Sequence, residues 1–506
     1  MKKWIGFLCA AAATLLLGVT AVTADIGDSG FFGGITEGRR LPKTTEVLLA
    51  QNASSSANAA TELAYSEVIF LAGEPVTFNG TLTVRPSGAV SDSENVGSYR
   101  VVYTVRPSAS TDSDTSIARN ITFNVNWRRQ DNQIVRDYTV SSWTETISAN
   151  GQSFQLDRAR SHFEVSILEW KSAGVTYYAG DLSQLAVYRG DAGTTHELSG
   201  TIYGYETAWS RAEVQRLEGR VFANDWQMQY EVRPSVSVEK QLQYSQNEPM
   251  AIGFPGNYRE VMSNQSGLQY NITVVPARMV GMETSGGATL NTYNTFEQLM
   301  APDVSSLKGH FAEADISKLF AMGVLDGDVK FYQPNQQITR GQFVTMLVKA
   351  LKLPIDTSYQ QQSSKRGAKV SIVFPDVLPE RADYPYIMAA YNAGLAIGRG
   401  SGQFYVDATI SRSEVIVLLI RALGLTNLGL EPTPMTPFTD DVSIPAWAKK
   451  DIYAAARLDV VRGDNRGNFN PLTPVSKAEA AAFINRLVEY MRTGLRNDYS
   501  EYIVNY

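Results

Sequence analysis

Cysteine is almost missing from this sequence: Cys9 is the single example in 506 residues, and it lies inside an apolar run near the start. If that run is removed, neither disulfides nor thiol chemistry remain. Histidine is scarce as well. His162, His196 and His310 show no metal-ligand spacing, so no metal and no cofactor is expected. Basic charge is not in excess: 45 Lys and Arg stand against 51 Asp and Glu, a formal net charge of −6. A mildly acidic chain without a basic stripe argues against nucleic acid as a partner. Beyond the N-terminal run no stretch approaches the ~18–20 apolar residues of a membrane span. Glycine-rich phosphate loops, a Gly-x-Ser-x-Gly elbow and an EF-hand loop are also missing.

What is present begins with Lys2 and Lys3, an apolar run from Trp4 to about Val19, and the small residues Val22-Thr23-Ala24. That is the plan of a secretory signal peptide, residues 1–24, cleaved after Ala24. Residues 25–62 read as a flexible leader, punctuated by glycine and poor in anything to bury. From there to 283 the period is two. Runs such as Ile121 to Trp127, Val165 to Trp170 and Trp226 to Val232 alternate apolar with polar residues between Gly, Asn, Asp and Ser clusters. Short antiparallel strands with one buried face follow from that pattern. Two β-sandwich-like units are expected, 63–150 and 151–283, with a soft boundary at Ala149-Asn150-Gly151. Ser210 to Leu217 reads as a short helix. Val-Arg-Pro occurs at Val84, Val105 and Val232, where proline should end a strand. A linker, 284–299, follows.

Beyond it one pattern occurs three times. Ile338-Thr339-Arg340-Gly341-Gln342 returns as Ile410-Ser411-Arg412-Ser413-Glu414 and as Val475-Ser476-Lys477-Ala478-Glu479. Hydroxyl-x-x-Glu/Gln is a capping box, so helices should start after Thr339, Ser411 and Ser476. Each carries a cation at its first position, the wrong sign for a helix start. Apolar stripes follow at helical spacing: Phe343, Met346, Leu347, Ala350; Val415, Leu418, Leu419, Ala422; Ala480, Phe483, Ile484, Leu487. Upstream of each cation the copies also align at Gly327, Gly398 and Gly463. An aromatic follows (Tyr332, Phe404, Phe469), a core isoleucine precedes (Ile316, Ile387, Ile452), and an aspartate heads each unit (Asp303, Asp376, Asp440).

These residues resemble the S-layer homology family, whose repeat has an early aspartate, a Trp-Ala pair, a glycine turn, a Phe-x-Pro step and Thr-Arg-Ala-Glu. Phe438-Thr439-Asp440, Trp447-Ala448, Phe469-Asn470-Pro471 and Ser476-Lys477-Ala478-Glu479 carry it in the third copy. Phe374-Pro375-Asp376, the span 394–398 and Ser411-Arg412-Ser413-Glu414 carry it in the second. The first supplies Phe311-Ala312, the span 323–327 and Thr339-Arg340-Gly341-Gln342. The expected units are repeats at 300–353, 374–430 and 431–490, a linker at 354–373 and a tail at 491–506. The copies depart from the family at Phe311 (for Trp), Ala382 (for Trp), Gln342 (for Glu), Lys477 (for Arg) and Asp459 (for a turn glycine).

The resemblance implies a helical three-repeat bundle with grooves that bind wall polysaccharide, often one bearing acidic pyruvate ketals. Free helix amides plus Arg340 and Arg412 would clamp the acid, and Lys477 would supply a point charge. Asp303, Asp376, Asp440, Phe311 and Trp447 would meet sugar hydroxyls and rings, while Gly327, Gly398 and Gly463 admit the ligand to the backbone. The bland alternative for each cation is a salt bridge to a neighbouring repeat, with Glu414 and Glu479 as caps. Asp326-Gly327-Asp328 and Asp464-Asn465 read equally as calcium ligands or turns. A multidomain, non-enzymatic cell-surface or S-layer protein is therefore expected: all-β, antiparallel and β-sandwich-like at the N-terminus, then the helical bundle. Wall polysaccharide is its expected partner, with other surface-layer subunits as a further candidate and no membrane span after signal cleavage. The alternatives are an exoenzyme, such as a glycoside hydrolase with its site in the β-region, or an adhesin carried on the same anchor.

Overall fold

The computed structural model describes residues 27, 29–41, 60–91, 94–108, 114–189, 193–245, 256–277, 281, 283–355, 373–399, 402–429 and 432–499. The signal segment and most of the 354–373 linker lie outside them. Within them the β-region is a single antiparallel sheet of fifteen strands. They are β1 (Ile35–Thr36), β2 (Thr61–Ile69), β3 (Val76–Pro86), β4 (Val96–Pro107), β5 (Ser116–Gln130), β6 (Gln133–Ala149), β7 (Gln152–Leu156), β8 (His162–Lys171), β9 (Val175–Arg189), β10 (Thr194–Thr207), β11 (Ser210–Phe222), β12 (Gln227–Ser245), β13 (Asn257–Val274), β14 (Ser285–Thr289) and β15 (Thr295–Leu299). β7 and β8 share the place between β6 and β9, and β14 and β15 lie one after the other along β13. The ladder is thus an up-and-down meander.

Strand β5 shows why the meander curls into a barrel-like wall. Ile117, Arg119, Ile121, Phe123, Val125 and Trp127 are buried, while Asn120, Thr122, Asn124 and Asn126 face out. β3 repeats this with Thr77, Asn79, Thr81 and Thr83 outward. A polar outer face is the reverse of a barrel built for lipid. The inner residues of nearly every strand join one apolar cluster, and Phe70 of the β2–β3 turn stacks on Tyr230 of β12 with ring centroids 3.7 Å apart. So the two ends of the meander come together. Inside, Arg119 holds two buried carboxylates, Glu67 at 2.7 Å and Glu145 at 2.9 Å. Burial alone would raise the Glu145 carboxyl, but Arg119 and the hydrogen bonds from Trp143 and Tyr188 hold it below its usual value.

Several expectations change here. Ala149-Asn150-Gly151 is the hairpin between β6 and β7, and the sheet runs through it; turn residues there join strands and do not separate units. Residues 29–41 of the presumed leader are largely buried, with Phe31, Phe32 and Ile35 in the interior. Ser210 to Leu217 lies in strand β11, and the buried polar residues Arg211, Glu213 and Gln215 hide the apolar alternation of a strand. The 284–299 linker contains β14 and β15. Val-Arg-Pro ends β3 and β4 as expected, but Pro234 lies within β12. There the ladder to β11 breaks between Val232 and Ser235, sparing the missing N–H a partner.

The helices are α1 (Glu313–Ala321), α2 (Arg340–Ala350), α3 (Tyr384–Asn392), α4 (Arg412–Leu423), α5 (Ala446–Arg457) and α6 (Lys477–Glu489), followed by a π-turn (Tyr490–Gly494) and α7 (Leu495–Asp498). Each repeat supplies a pair, and packing is cyclic: α3 lies on α2, α5 on α4, and α1 on α6. The β-region sits directly on the C-terminal ends of the second helices. Trp209 Nε1 donates to the Ala350 carbonyl at 2.8 Å, and the Tyr177 hydroxyl donates to Leu423 at 2.9 Å. The Gly174 amide donates to Ala422 at 2.8 Å, and the Ser210 hydroxyl donates to Met491. The Ala350, Ala422 and Leu423 carbonyls are ones that a helix end leaves without intrahelical donors, and Met491 lies in the π-turn. Of the expected tail, residues 491–499 are part of this joint: Tyr499 stacks on Tyr177 and donates to the carbonyls of Tyr178 and Gly204. Trp209 is its centre, with Lys352 4.6 Å and Arg492 4.8 Å from the ring. Trp209→Ala should lower unfolding free energy by about 3–5 kcal/mol in urea titrations. Trp209→Phe, which keeps the ring bulk and loses one hydrogen bond, should lower it by only about 1 kcal/mol.

Candidate functional site

The three capping boxes form as the spacing predicts. Thr339, Ser411 and Ser476 each accept from the third amide of their helix, and Gln342, Glu414 and Glu479 reach back. The residue before each cap joins a closed ring. Ile338 N donates to Val475 O at 2.9 Å, Val475 N to Ile410 O at 2.9 Å, and Ile410 N to Ile338 O at 3.3 Å.

The expectation of free amides at these helix starts is overturned. Arg340 N donates to Ala408 O and Gly341 N to Val406 O. In the same way Arg412 N and Ser413 N take Thr473 O and Pro471 O, and Lys477 N and Ala478 N take Gln336 O and Pro334 O. The neighbouring repeat therefore uses the donors that an anion would need. The cations are engaged too. Arg340 meets Glu414 at 3.3 Å and the Ile397 carbonyl at 3.1 Å, above the Phe404 ring. Arg412 meets Glu479 at 3.3 Å and the Phe469 carbonyl at 2.8 Å. Burial pushes both guanidinium groups below their usual value, though Glu414 and Glu479 oppose this. Lys477 lies 5.9 Å from the Tyr332 ring.

The aspartates at the heads of the repeats brace loops. Asp376 accepts from the amides of Phe404 (2.8 Å) and Val406 (3.1 Å), and Asp440 from Phe469 (2.7 Å) and Asn470 (2.8 Å). Burial would raise the Asp376 carboxyl, and these amides outweigh it. Asp303 accepts locally from Ser305 N at 3.0 Å. Gly327 has φ +91°; a side chain on Gly398 would press on the Gln403 carbonyl, and one on Gly463 on the Gly467 backbone. Gly398 and Gly463 thus admit the chain's own loop, whereas Gly327 serves its positive φ. Asp464 likewise accepts from the Arg466 and Asn468 amides, and the Asn468 amide above all holds it down at about 2. Phe311 is exposed, its ring 4.7 Å from that of His310. His196 bonds the Tyr230 hydroxyl at 2.7 Å, and burial pushes it down to about 4.

A groove of about 590 Å³ lies open between the repeats. Arg340 and Glu414 line it, Trp447 stands in it 57% exposed, and Arg399 and Arg421 complete the wall. The sequence reading missed these two arginines. Arg399 follows Gly398, where the other copies have Asp328 and Asp464; Arg421 lies nine residues after Arg412, matching Lys349 and Arg486. Three cations thus face one carboxylate. At the equivalent positions the Arg412 groove has Arg486, Asp464 and Glu479, which balance it. The Lys477 groove has Lys349, Asp328 and Gln342, with Lys349 paired to Asp326.

A cyclic trio of helix pairs with grooves at its junctions defines a three-repeat surface anchor. Residues 302–344, 373–416 and 437–481 match the family model of the S-layer homology domain, so the C-terminal part of this chain belongs to that family. Domains of this family bind cell-wall polysaccharide, and the protein is a secreted protein of the cell surface. An S-layer protein of Bacillus thuringiensis subsp. finitimus is 31% identical over 184 residues, 36% of this chain and 20% of that protein. The amylopullulanase of Thermoanaerobacterium thermosulfurigenes is 30% identical over 229 residues, 44% of this chain and 12% of that protein. The exoglucanase XynX of Acetivibrio thermocellus is 31% identical over 188 residues, 37% and 16%. The match thus spans a fifth or less of each of these relatives. Asp440→Ala leaves two loop amides without their acceptor and should lower stability by about 1–3 kcal/mol, read as a fall in Tm.

Proposed function

We propose that this is a non-enzymatic surface protein held on an anionic wall polysaccharide, chiefly through the groove of Arg340, Arg399, Arg421 and Trp447. The supporting observation is the charge in that groove, three guanidinium groups against Glu414 alone, beside an exposed indole. Arg399, which shares Glu414 with Arg340, and Arg421 bring to the groove the guanidinium groups suited to a bidentate contact with a carboxylate. Arg340, 6% exposed, supports the floor by pinning Glu414. The Trp447 ring offers a sugar its apolar face. The departures Gln342 and Lys477 fall at corresponding places of a single junction, so that junction lacks both the guanidinium and its carboxylate.

A non-enzymatic β-region is supported by its interior. Trp127, Trp143 and Trp209 are buried core side chains, and Glu67 and Glu145 are tied to Arg119. The test is co-sedimentation of the full chain with purified wall polysaccharide at rising salt. Arg399→Asp combined with Arg421→Gln should weaken binding at least tenfold, while Lys477→Ala changes it less than twofold. Equal losses from both would refute the assignment of the groove.

A further inference from the structure

The strongest unexplained feature is the N-terminal arm, residues 27 and 29–41, which lies inside the curled sheet. It is held by side chains and hardly at all by the ladder: β1 pairs with β2 over two residues, Ile35 to Ser66 and Thr36 to Tyr65. The meander from β2 to β15 is continuous without it. Its cradle is nonetheless specific. Phe31 lies edge-on to Tyr138 at 5.4 Å, and the Arg119 guanidinium sits 4.3 Å above the Phe32 ring. Gln215 Nε2 donates to the Gly30 carbonyl at 2.9 Å, and the buried Glu213 carboxylate accepts from Gly27 N at 3.2 Å. A side chain on Gly34 would run into the Tyr65 hydroxyl, so the cradle requires glycine there. β1 also sits where the two ends of the sheet meet: it pairs with β2, and the Thr36 carbonyl accepts from the Ser266 hydroxyl of β13.

We propose that this arm is an exchangeable latch, and that the cradle accepts the arm of a second copy of this chain, linking neighbouring copies on the surface. An exchanged arm makes the same contacts as its own, so swapping is decided by the connecting segment and by local concentration. Nineteen residues, 42–60, connect the arm to β2. Extended, they span up to about 60 Å, enough to reach a molecule anchored alongside. The inference does not depend on which groove binds the wall.

The test uses the full chain with a protease site inserted between Ser54 and Ser55, and a labelled synthetic peptide of residues 27–41. After cutting, the arm should stay with the barrel through gel filtration and be replaced by labelled peptide over hours to days. The same peptide carrying Phe31→Asp should not be taken up. The uncut chain, refolded at high concentration, should give a dimer that falls to monomers once the segment is cut. The proposal is overturned by a cut chain that takes up no peptide or loses its fold, by a chain that stays monomeric on concentrated refolding, or by a dimer that survives cutting.

Discussion

The ring of backbone hydrogen bonds through Ile338, Ile410 and Val475 is the constraint on which the helical half depends. Each of these residues donates to one neighbouring repeat and accepts from the other, so three units that cannot bury their own faces are closed into one body. The ring also fixes where each second helix begins. The cap hydroxyl takes one of the first helical amides and a loop of the neighbouring repeat takes two more. With the helix start already satisfied, a cation at its first position no longer opposes an exposed dipole. It lies over the next repeat and ties its capping glutamate, as Arg340 does with Glu414 and Arg412 with Glu479.

Polarity then divides the labour. The groove runs along α4 from Ser411 to Arg421, while the C-terminal ends of α2 and α4 accept hydrogen bonds from the β-region. The joint with the β-region passes through packed side chains around Trp209. The same geometry lets the grooves differ. A residue just after the turn glycine, Asp328, Arg399 or Asp464, changes the charge of one groove without disturbing the ring.

Much of the helical half was legible because its signals are local. A capping box, a stripe at helical spacing and a turn glycine each depend on residues within one turn, and threefold repetition fixed their register. The closed ring and the use of the helix amides were not legible, since both join residues about 65–140 positions apart. Arg399 and Arg421 were missed because they belong to no cap; they matter through the groove that brings them beside Trp447. In the β-region, alternation identified the strands but not their order, and short polar turns such as Asn150-Gly151 look alike within a sheet and between domains. The buried arm was hidden by its glycines, which read as disorder and serve close packing against Tyr65 and Val238.

The central claim is that the three grooves are unequal, with one dominating. Isothermal titration of the full chain with a short wall oligosaccharide carrying one acidic group tests it most directly. The account predicts one strong site per chain, weakened steeply by salt as expected for Arg399 and Arg421 meeting an anion. Three sites of equal affinity, or a single site indifferent to salt, would contradict it.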